Sequence, residues 1–302
     1  MYNGNKLKEA YAAAILFSVL VGFSFLGIKT CIIHANTLEI LVWRYNWAAL
    51  CMALLLIFQI FKLELKGKPK RNLFLTAGFY IGFIILQTIG LIFSTSVESA
   101  IIFAMIPIMS KIIAGIFLGE KSTWFQNIFI GLSVAALIIM IIAGATDVTA
   151  NPVGIVILVI SSLSMAISNV FIRYVRTEYK PVEITASICF MGAFVFNLAT
   201  FILGDVGNYF EPLKCMEFIL ATAYLGIPCT VVSALLVAFM LRHMPAVNAT
   251  MFGNLSTAIS IVAGVVVLGE PLLTYHIVCT LLIIMGVVGV CIPDWKCKKD
   301  ER

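Results

Sequence analysis

Ten runs of about twenty apolar residues fill almost the whole sequence, and this spacing constrains the fold more than any other feature. An α-helix needs about 20 apolar residues to cross the hydrocarbon core of a bilayer. The runs cover residues 10–33, 37–61, 72–94, 96–119, 124–145, 152–175, 182–204, 216–241, 246–268 and 272–293. We therefore predict an all-α membrane protein with ten transmembrane helices joined by short loops.

The composition supports a single membrane domain over residues 1–302. Hydrophobic residues make up 62% of the chain and charged residues 12%, whereas about a quarter of a soluble domain is charged. Lys6 and Lys8 precede the first apolar run, which is longer than the core of a signal peptide. We interpret this segment as the first transmembrane helix.

Several function classes lack their motifs in this sequence. The eight cysteines are scattered through apolar runs without CxxC or metal-ligand spacing, so we predict neither a disulfide framework nor a metal site. There is no GxxxxGK[ST], HExxH or GxSxG motif, and no span carries an evident channel filter. We expect no enzymatic activity, no cofactor and no nucleic-acid partner.

The distribution of basic residues predicts the orientation of the chain. With the N-terminus in the cytoplasm, most of the 20 Lys and Arg residues fall in cytoplasmic loops or tails, while Asp147, Asp205, Glu211 and Glu217 fall outside. The positive-inside rule then places both termini in the cytoplasm of a multi-pass protein of the cell (inner) membrane.

An internal repeat divides the chain into two halves. Leu118-Gly119-Glu120 returns as Leu268-Gly269-Glu270, 150 positions later, and at an offset of 144 Ser18 aligns with Ser162 and Glu39 with Glu183. Residues 10–145 and 152–293 would each hold five helices. Because five is odd, the two copies would lie inverted in the bilayer, which is an architecture of secondary transporters.

With the Trp43-Arg44 pair early in the second span and the two LGE endings, the chain resembles the EamA-type branch of the drug/metabolite transporter superfamily. The resemblance extends over nearly the whole chain. It implies a central cavity lined mainly by the first four helices of each half, with the fifth and tenth helices peripheral. It also implies export of amino acids or other small metabolites, or, more distantly, exchange of nucleotide sugars or organophosphates.

Lys111 is the most unusual residue of the spans. It lies nine residues before Glu120, or about 13 Å from the end of its helix, where a charged side chain costs roughly 2.5–3.5 kcal/mol. We predict that Lys111 faces protein, water or a ligand. At an offset of 150 the ninth span places Asn254 and Thr257 on the corresponding face, so we predict a midplane site formed by these three residues.

Other polar residues of the spans are candidates with a structural alternative. Arg44 either lines the cavity mouth or extends to the outer surface, and Tyr80 either stacks on a ligand or anchors the helix at the interface. Gln87 and Asn169 either contact substrate or bond neighbouring helices. Glu98 serves coupling or gating, or balances a helix dipole. We interpret Glu120 and Glu270 as polar helix ends, with a gate contact as the alternative.

These observations predict a secondary transporter, most simply an exporter of small polar metabolites such as amino acids or related carboxylate-bearing compounds. Its partners would be a small-molecule substrate and the lipid bilayer, and it would act as a monomer or homodimer. The alternatives are an exchanger of larger anionic metabolites and a multidrug efflux carrier.

Overall fold

The computed structural model describes residues 4–64, 68, 70–118, 124–146, 151–175, 178–203, 209–243 and 246–300, which form α-helices and no strand. A 3-10 turn at Glu211–Lys214 precedes α10, and a π-helical segment at Ile227–Val232 joins α10 to α11. The helices are α1 (Gly4–Gly22), α2 (Ser24–His34), α3 (Thr37–Ile57), α4 (Lys70–Ile92), α5 (Ser96–Phe103), α6 (Ile106–Leu118), α7 (Trp124–Thr146), α8 (Pro152–Val175), α9 (Pro181–Ile202), α10 (Met216–Gly226), α11 (Ser233–His243), α12 (Ala246–Leu268) and α13 (Thr274–Asp300).

Seven helical stretches of the described chain are long and apolar enough to cross a membrane. They are Lys8–His34, Thr37–Ile57, Lys70–Ile92, Ser96–Phe117, Pro152–Ile172, Pro181–Ile202 and Met216–Val237. Shorter apolar stretches lie in the predicted fifth, ninth and tenth spans, at Asn127–Ala136, Leu255–Leu268 and Thr274–Gly286. The prediction of an all-helical membrane protein is confirmed, and the count of ten spans stays a prediction.

Carboxylate contacts define the two ends of the bundle. At one end, which we call the Glu270 end, Glu270 meets the start of α5 and His34 meets Glu217. At the opposite end, the Glu183 end, Glu183 accepts hydrogen bonds from Lys68 and from the backbone of Glu64. Both sets of contacts join a residue before position 146 to a residue after position 151.

The two halves of the chain pack against each other along their length. α4 lies against α8, α3 against α9, and α5 against α12, while α7 and α13 pair with each other. Serine hydroxyls of α8 bond backbone carbonyls of α4: Ser161 to Phe83, Ser164 to Phe79 and Ser168 to Thr76. Hydroxyl groups of this kind hold helices together inside a bilayer, where the hydrophobic effect does not drive helices to associate.

Three of the long apolar stretches are interrupted in the structure. The stretch predicted over 10–33 breaks at Phe23, the one over 96–119 breaks at Ala104 and Met105, and the one over 216–241 contains the π-helical segment. Pro107 explains the second break, because it stands in the first turn of α6, where its missing N–H is not needed. Inside a membrane, a broken helix persists only where other groups satisfy its backbone.

Candidate functional site

The break at Phe23 is supported by side chains from the other half of the chain. The carbonyl of Leu20 accepts hydrogen bonds from the Tyr224 hydroxyl at 2.6 Å and the Cys229 thiol at 3.2 Å. The carbonyl of Gly22 accepts one from the Ser260 hydroxyl at 2.7 Å. The two carbonyls that directly precede the break are therefore bonded by residues of α10, α12 and the π-helical segment.

The π-helical segment brings a second set of polar groups to the same region. The Thr230 hydroxyl donates to the carbonyl of Leu225 at 2.8 Å, and the Ser233 hydroxyl donates to the carbonyl of Cys229 at 2.6 Å. Single π-helical turns inside α-helices are frequent at functional sites. Cys229 connects the two interruptions, since its thiol reaches the break at Phe23. We call these two breaks and the side chains that bond them the junction.

Arg44 extends from α3 toward the junction. Its side chain is only 4% exposed, and one guanidinium nitrogen donates to the Thr230 hydroxyl at 3.4 Å. Its Nε is buried without a hydrogen-bond partner, and no carboxylate of the described residues pairs with it. Arg44 lies seven residues after the start of α3, about 10 Å inside the bundle. The guanidinium therefore lies in the interior and does not extend to the surface.

Tight packing of α3 on α10 fixes the position of Arg44. Gly226 lies so close to the backbone carbonyl of Arg44 that a side chain at position 226 would collide with it. The preceding residue, Trp43, donates its indole N–H to the carbonyl of Tyr209 at 3.1 Å. These contacts set the rotation of α3, so that Arg44 faces the π-helical segment.

Tyr80 and Gln87 share one face of α4, two helical turns apart. The Tyr80 ring packs on Phe83, which in turn packs on Phe103 of α5. Gln87 is 5% exposed and makes no hydrogen bond with any described residue. A buried amide with free bonding capacity is a group that a ligand can satisfy.

The structure places the residues predicted around Lys111 as follows. Lys111 is half-buried on α6, which packs on α8, and the neighbouring Ser110 hydroxyl accepts a bond from the Asn169 amide at 3.4 Å. The Thr257 hydroxyl is buried and donates to the carbonyl of Gly253 in its own helix at 3.4 Å. The side chain of Asn254 lies outside the described residues. A site shared by Lys111, Asn254 and Thr257 stays a prediction.

Glu98 and Glu270 meet at the start of α5. Glu98 forms a capping box with Thr95, accepting from the Thr95 N–H at 2.8 Å while the Thr95 hydroxyl accepts from the Glu98 N–H at 3.1 Å. Glu270 comes from the other half, and its carboxylate accepts from the N–H groups of Ser96 at 2.9 Å and Val97 at 3.0 Å. Lys29 bonds the carbonyl of Ser94 beside this group. Glu120, the other LGE glutamate, lies outside the described residues.

The LGE sequence at 268–270 has a direct physical role in this contact. Gly269 adopts a left-handed conformation with φ of 66°, which ends α12 and turns Glu270 back toward it. The N–H of Glu270 then donates to the carbonyl of Gly264 at 3.1 Å. Glu270 is thus both a polar helix end and a bond between the two halves.

Arg44 can be singled out in the sequence, but most of the groups around it cannot. Cys229 and Ser260 resemble any small residues of an apolar helix, and the carbonyls that they bond belong to residues more than two hundred positions earlier. Pro228, at the start of the π-helical segment, is the one local signal that this span is interrupted.

The structure is a multi-pass helical bundle in which two interrupted spans bond each other and the Arg44 guanidinium is buried beside one of them. A membrane transporter has this form. The sequence matches the EamA-like transporter family over residues 8–142 and again over residues 152–292. The chain belongs to this family, and the resemblance found in the sequence is confirmed.

Known proteins similar to this chain are also named as transporters. The uncharacterized transporter YcxC of Bacillus subtilis (strain 168) is 34% identical over 286 residues, covering 93% of this chain and 92% of the relative. An uncharacterized transporter of Archaeoglobus fulgidus is 23% identical over 267 residues, covering 88% of this chain and 92% of the relative. One crystal structure shares the fold with a TM-score of 0.65 at 13% identity, covering 96% of this chain and 99% of that chain.

Proposed function

We propose that this transporter carries small metabolites bearing a carboxylate, such as amino acids, and that it has ten transmembrane helices in two inverted five-helix repeats. Arg44 carries the proposal, because its guanidinium is buried next to a helix interruption without a carboxylate partner among the described residues. A charge inside a membrane bundle normally pairs with another group, and where protein offers none a ligand is the natural partner.

The chemistry of the guanidinium favours a carboxylate. Its planar set of donors matches the two oxygens of a carboxylate, and charge-assisted bonds of this geometry are about twice as strong as neutral ones. Gln87 and the Tyr80 hydroxyl offer neutral hydrogen-bonding groups on α4 for the remainder of a polar substrate. A cationic drug would be repelled by Arg44, which disfavours the multidrug alternative.

The basic residues support a proposed orientation of the chain in the membrane. Lys62, Lys68, Lys70, Arg71 and Lys180 lie at the Glu183 end, so the positive-inside rule makes this end cytoplasmic. With no nucleotide-binding motif, the energy would come from a gradient, and we propose export by alternating access at the cell membrane, as a monomer or homodimer. Reporter enzymes that are active only in the cytoplasm, fused to either terminus, would be inactive if the orientation were reversed.

Counterflow in proteoliposomes tests the substrate class. Liposomes loaded with unlabelled amino acids or other carboxylates should accumulate the labelled compound through the wild-type protein. Arg44→Gln should weaken the apparent affinity by at least about 30-fold, since removing one partner of a buried charge pair costs about 2 kcal/mol or more. Arg44→Lys should recover part of the loss, because the charge remains but the planar donors do not.

Arg71→Gln is the matched control, because Arg71 is an exposed arginine at the Glu183 end. It should leave the affinity unchanged. Wild-type affinity in a folded Arg44→Gln protein would refute the assignment of Arg44, and a preference for organic cations over carboxylates would refute the substrate class. Lys111→Met, measured in the same assay, shows whether Lys111 belongs to the same site.

A further inference from the structure

Three metal-ligating side chains from distant parts of the chain meet at the Glu270 end. His34 is the last residue of α2, Cys215 directly precedes α10, and Glu217 lies in the first turn of α10. One ligand atom from each of the three lies within 4.8 Å of the others, and His34 Nε2 is 2.9 Å from Glu217 Oε2. The cysteine spacing predicts no metal site, and His34 and Glu217 are 183 positions apart in the sequence.

The donor set suits a zinc ion. Zn²⁺ binds imidazole nitrogen and carboxylate oxygen at about 2.0–2.2 Å and thiolate sulfur at about 2.3 Å in a tetrahedron, so its ligand atoms lie about 3.3–3.6 Å apart. His34 Nε2 and Glu217 Oε2, at 2.9 Å, are slightly closer than this spacing, and Cys215 Sγ lies within 4.8 Å of both ligand atoms. Small side-chain rotations would complete the geometry, and a water molecule would take the fourth position.

The three side chains are also accessible from water. The His34 side chain is 27% exposed and the Glu217 side chain 72%, so an ion can reach them. Cys215 is partly exposed, in contrast to Cys31, Cys189, Cys229 and Cys279, which are buried. A simple His–Glu ion pair would explain the 2.9 Å contact, but it would not require the thiol beside it.

We propose that His34, Cys215 and Glu217 bind Zn²⁺, and that the ion clamps α2 to α10. α2 begins directly after the break at Phe23, and α10 ends at the π-helical segment. These two half-helices pack against each other and lead into the junction. An ion that joins their outer ends would hold the interrupted helices in one arrangement and would inhibit transport.

Zinc binding is measured on the purified full-length protein, without substrate, by competition with a fluorescent zinc chelator. The wild-type protein should bind one equivalent of Zn²⁺, and affinity should fall at acidic pH, because the ligands must be deprotonated. His34→Ala and Cys215→Ser should each weaken binding at least tenfold. Cd²⁺ should give the ultraviolet charge-transfer band of a metal–thiolate bond in the wild type but not in Cys215→Ser.

Two variants serve as controls. Glu211→Gln removes an exposed carboxylate at the same end, and Cys51→Ser removes another partly exposed cysteine, so both should bind Zn²⁺ like the wild type. Zn²⁺ should also raise the melting temperature of the wild type and not of His34→Ala, and equal melting of all variants without metal would show that they are folded.

Failure to detect saturable Zn²⁺ binding, or equal binding by Cys215→Ser and the wild type, would overturn the site. Zn²⁺ binding that does not inhibit counterflow would refute the proposal that the ion clamps α2 to α10, while the Zn²⁺ site itself would stand. The Zn²⁺-binding and melting results depend neither on Arg44 nor on the identity of the substrate, so a failure of the site is separable from a failure of the proposed function. Only the test of the clamp, inhibition of counterflow, needs a transported substrate.

Discussion

Glutamates at the starts of helices recur at both ends of the bundle. Glu39 accepts from the N–H of Asn36 at 2.8 Å, and Glu183 accepts from the N–H of Lys180 at 2.7 Å. These two glutamates align at the offset of 144 noted in the sequence. Carboxylates at such positions satisfy N–H groups that have no partner within the helix and balance its dipole. Glu270 extends the same interaction across the two halves.

The Glu270 contact depends on the absence of a side chain at position 264. A Cβ added to Gly264 would lie 2.7 Å from the Glu270 carboxylate and 3.3 Å from Val97, so Gly264→Ala should displace the carboxylate from the start of α5. Because a buried charge-assisted hydrogen bond contributes about 1.5–3 kcal/mol, we expect a lower melting temperature in detergent. Gly253→Ala is the control, since nothing lies within 4 Å of a Cβ there and alanine favours a helix. Equal melting of the two variants would contradict this account of Gly264.

At the scale of helices, the interrupted spans depend on hydroxyl groups supplied by other helices. The Ser260 hydroxyl also contacts the carbonyl of Ser256, one turn earlier in α12, but its bond to Gly22 joins α12 to the break at Phe23. Removing it leaves a buried carbonyl of Gly22 without this donor. The break is therefore stabilised by tertiary contacts and not by its own sequence.

Ser260→Ala should lower the free energy of unfolding by about 1–3 kcal/mol, the cost of leaving a buried polar group unsatisfied. Ser162→Ala is a matched control, because Ser162 is a fully buried helix serine that bonds only the carbonyl of Leu158 in its own helix. Its loss should cost far less. Thermal or denaturant unfolding of the two purified variants makes the comparison, and an equal cost for both would show that Ser260 does not support the break.

The sequence predicts the helices well because a membrane span needs only a continuous apolar run, which is a local property. The break at Phe23 has no proline, and the residues that bond it are Tyr224, Cys229 and Ser260. The sequence near Phe23 therefore does not predict the break. Arg44 could be singled out because a charge in a span is rare. Its partner Thr230 and the contact of Glu270 with Ser96 could not, because they depend on how the two halves dock.

The two halves of the bundle are joined at both ends. Glu270 bonds the start of α5 at one end, and Glu183, which is 1% exposed, bonds Lys68 and the backbone of Glu64 at the other. If the transporter opens to each side in turn, as proposed, we expect one of these contacts to be released at each opening. The two glutamates should therefore bias the conformational equilibrium in opposite directions.

Two native buried cysteines can report this bias. Cys31 lies on α2, three residues before the helix ends at the Glu270 end, and Cys189 lies eight residues, about 12 Å, into α9 from the Glu183 end. Glu270→Gln should raise the rate of maleimide labelling at Cys31, and Glu183→Gln should raise it at Cys189. A loss of about 1.4 kcal/mol at one end corresponds to about a tenfold rise in the population open there.

Mass spectrometry of labelled peptides gives the rate at each cysteine separately, and Glu211→Gln, an exposed carboxylate at the Glu270 end, controls for the loss of charge alone. If labelling rises only at Cys31 in Glu270→Gln and only at Cys189 in Glu183→Gln, the two ends open alternately. A general loosening of the fold would raise both rates in both variants. That second pattern would mean that Glu270 and Glu183 stabilise the fold without setting which end is open, and the alternating mechanism would lose its support from these contacts.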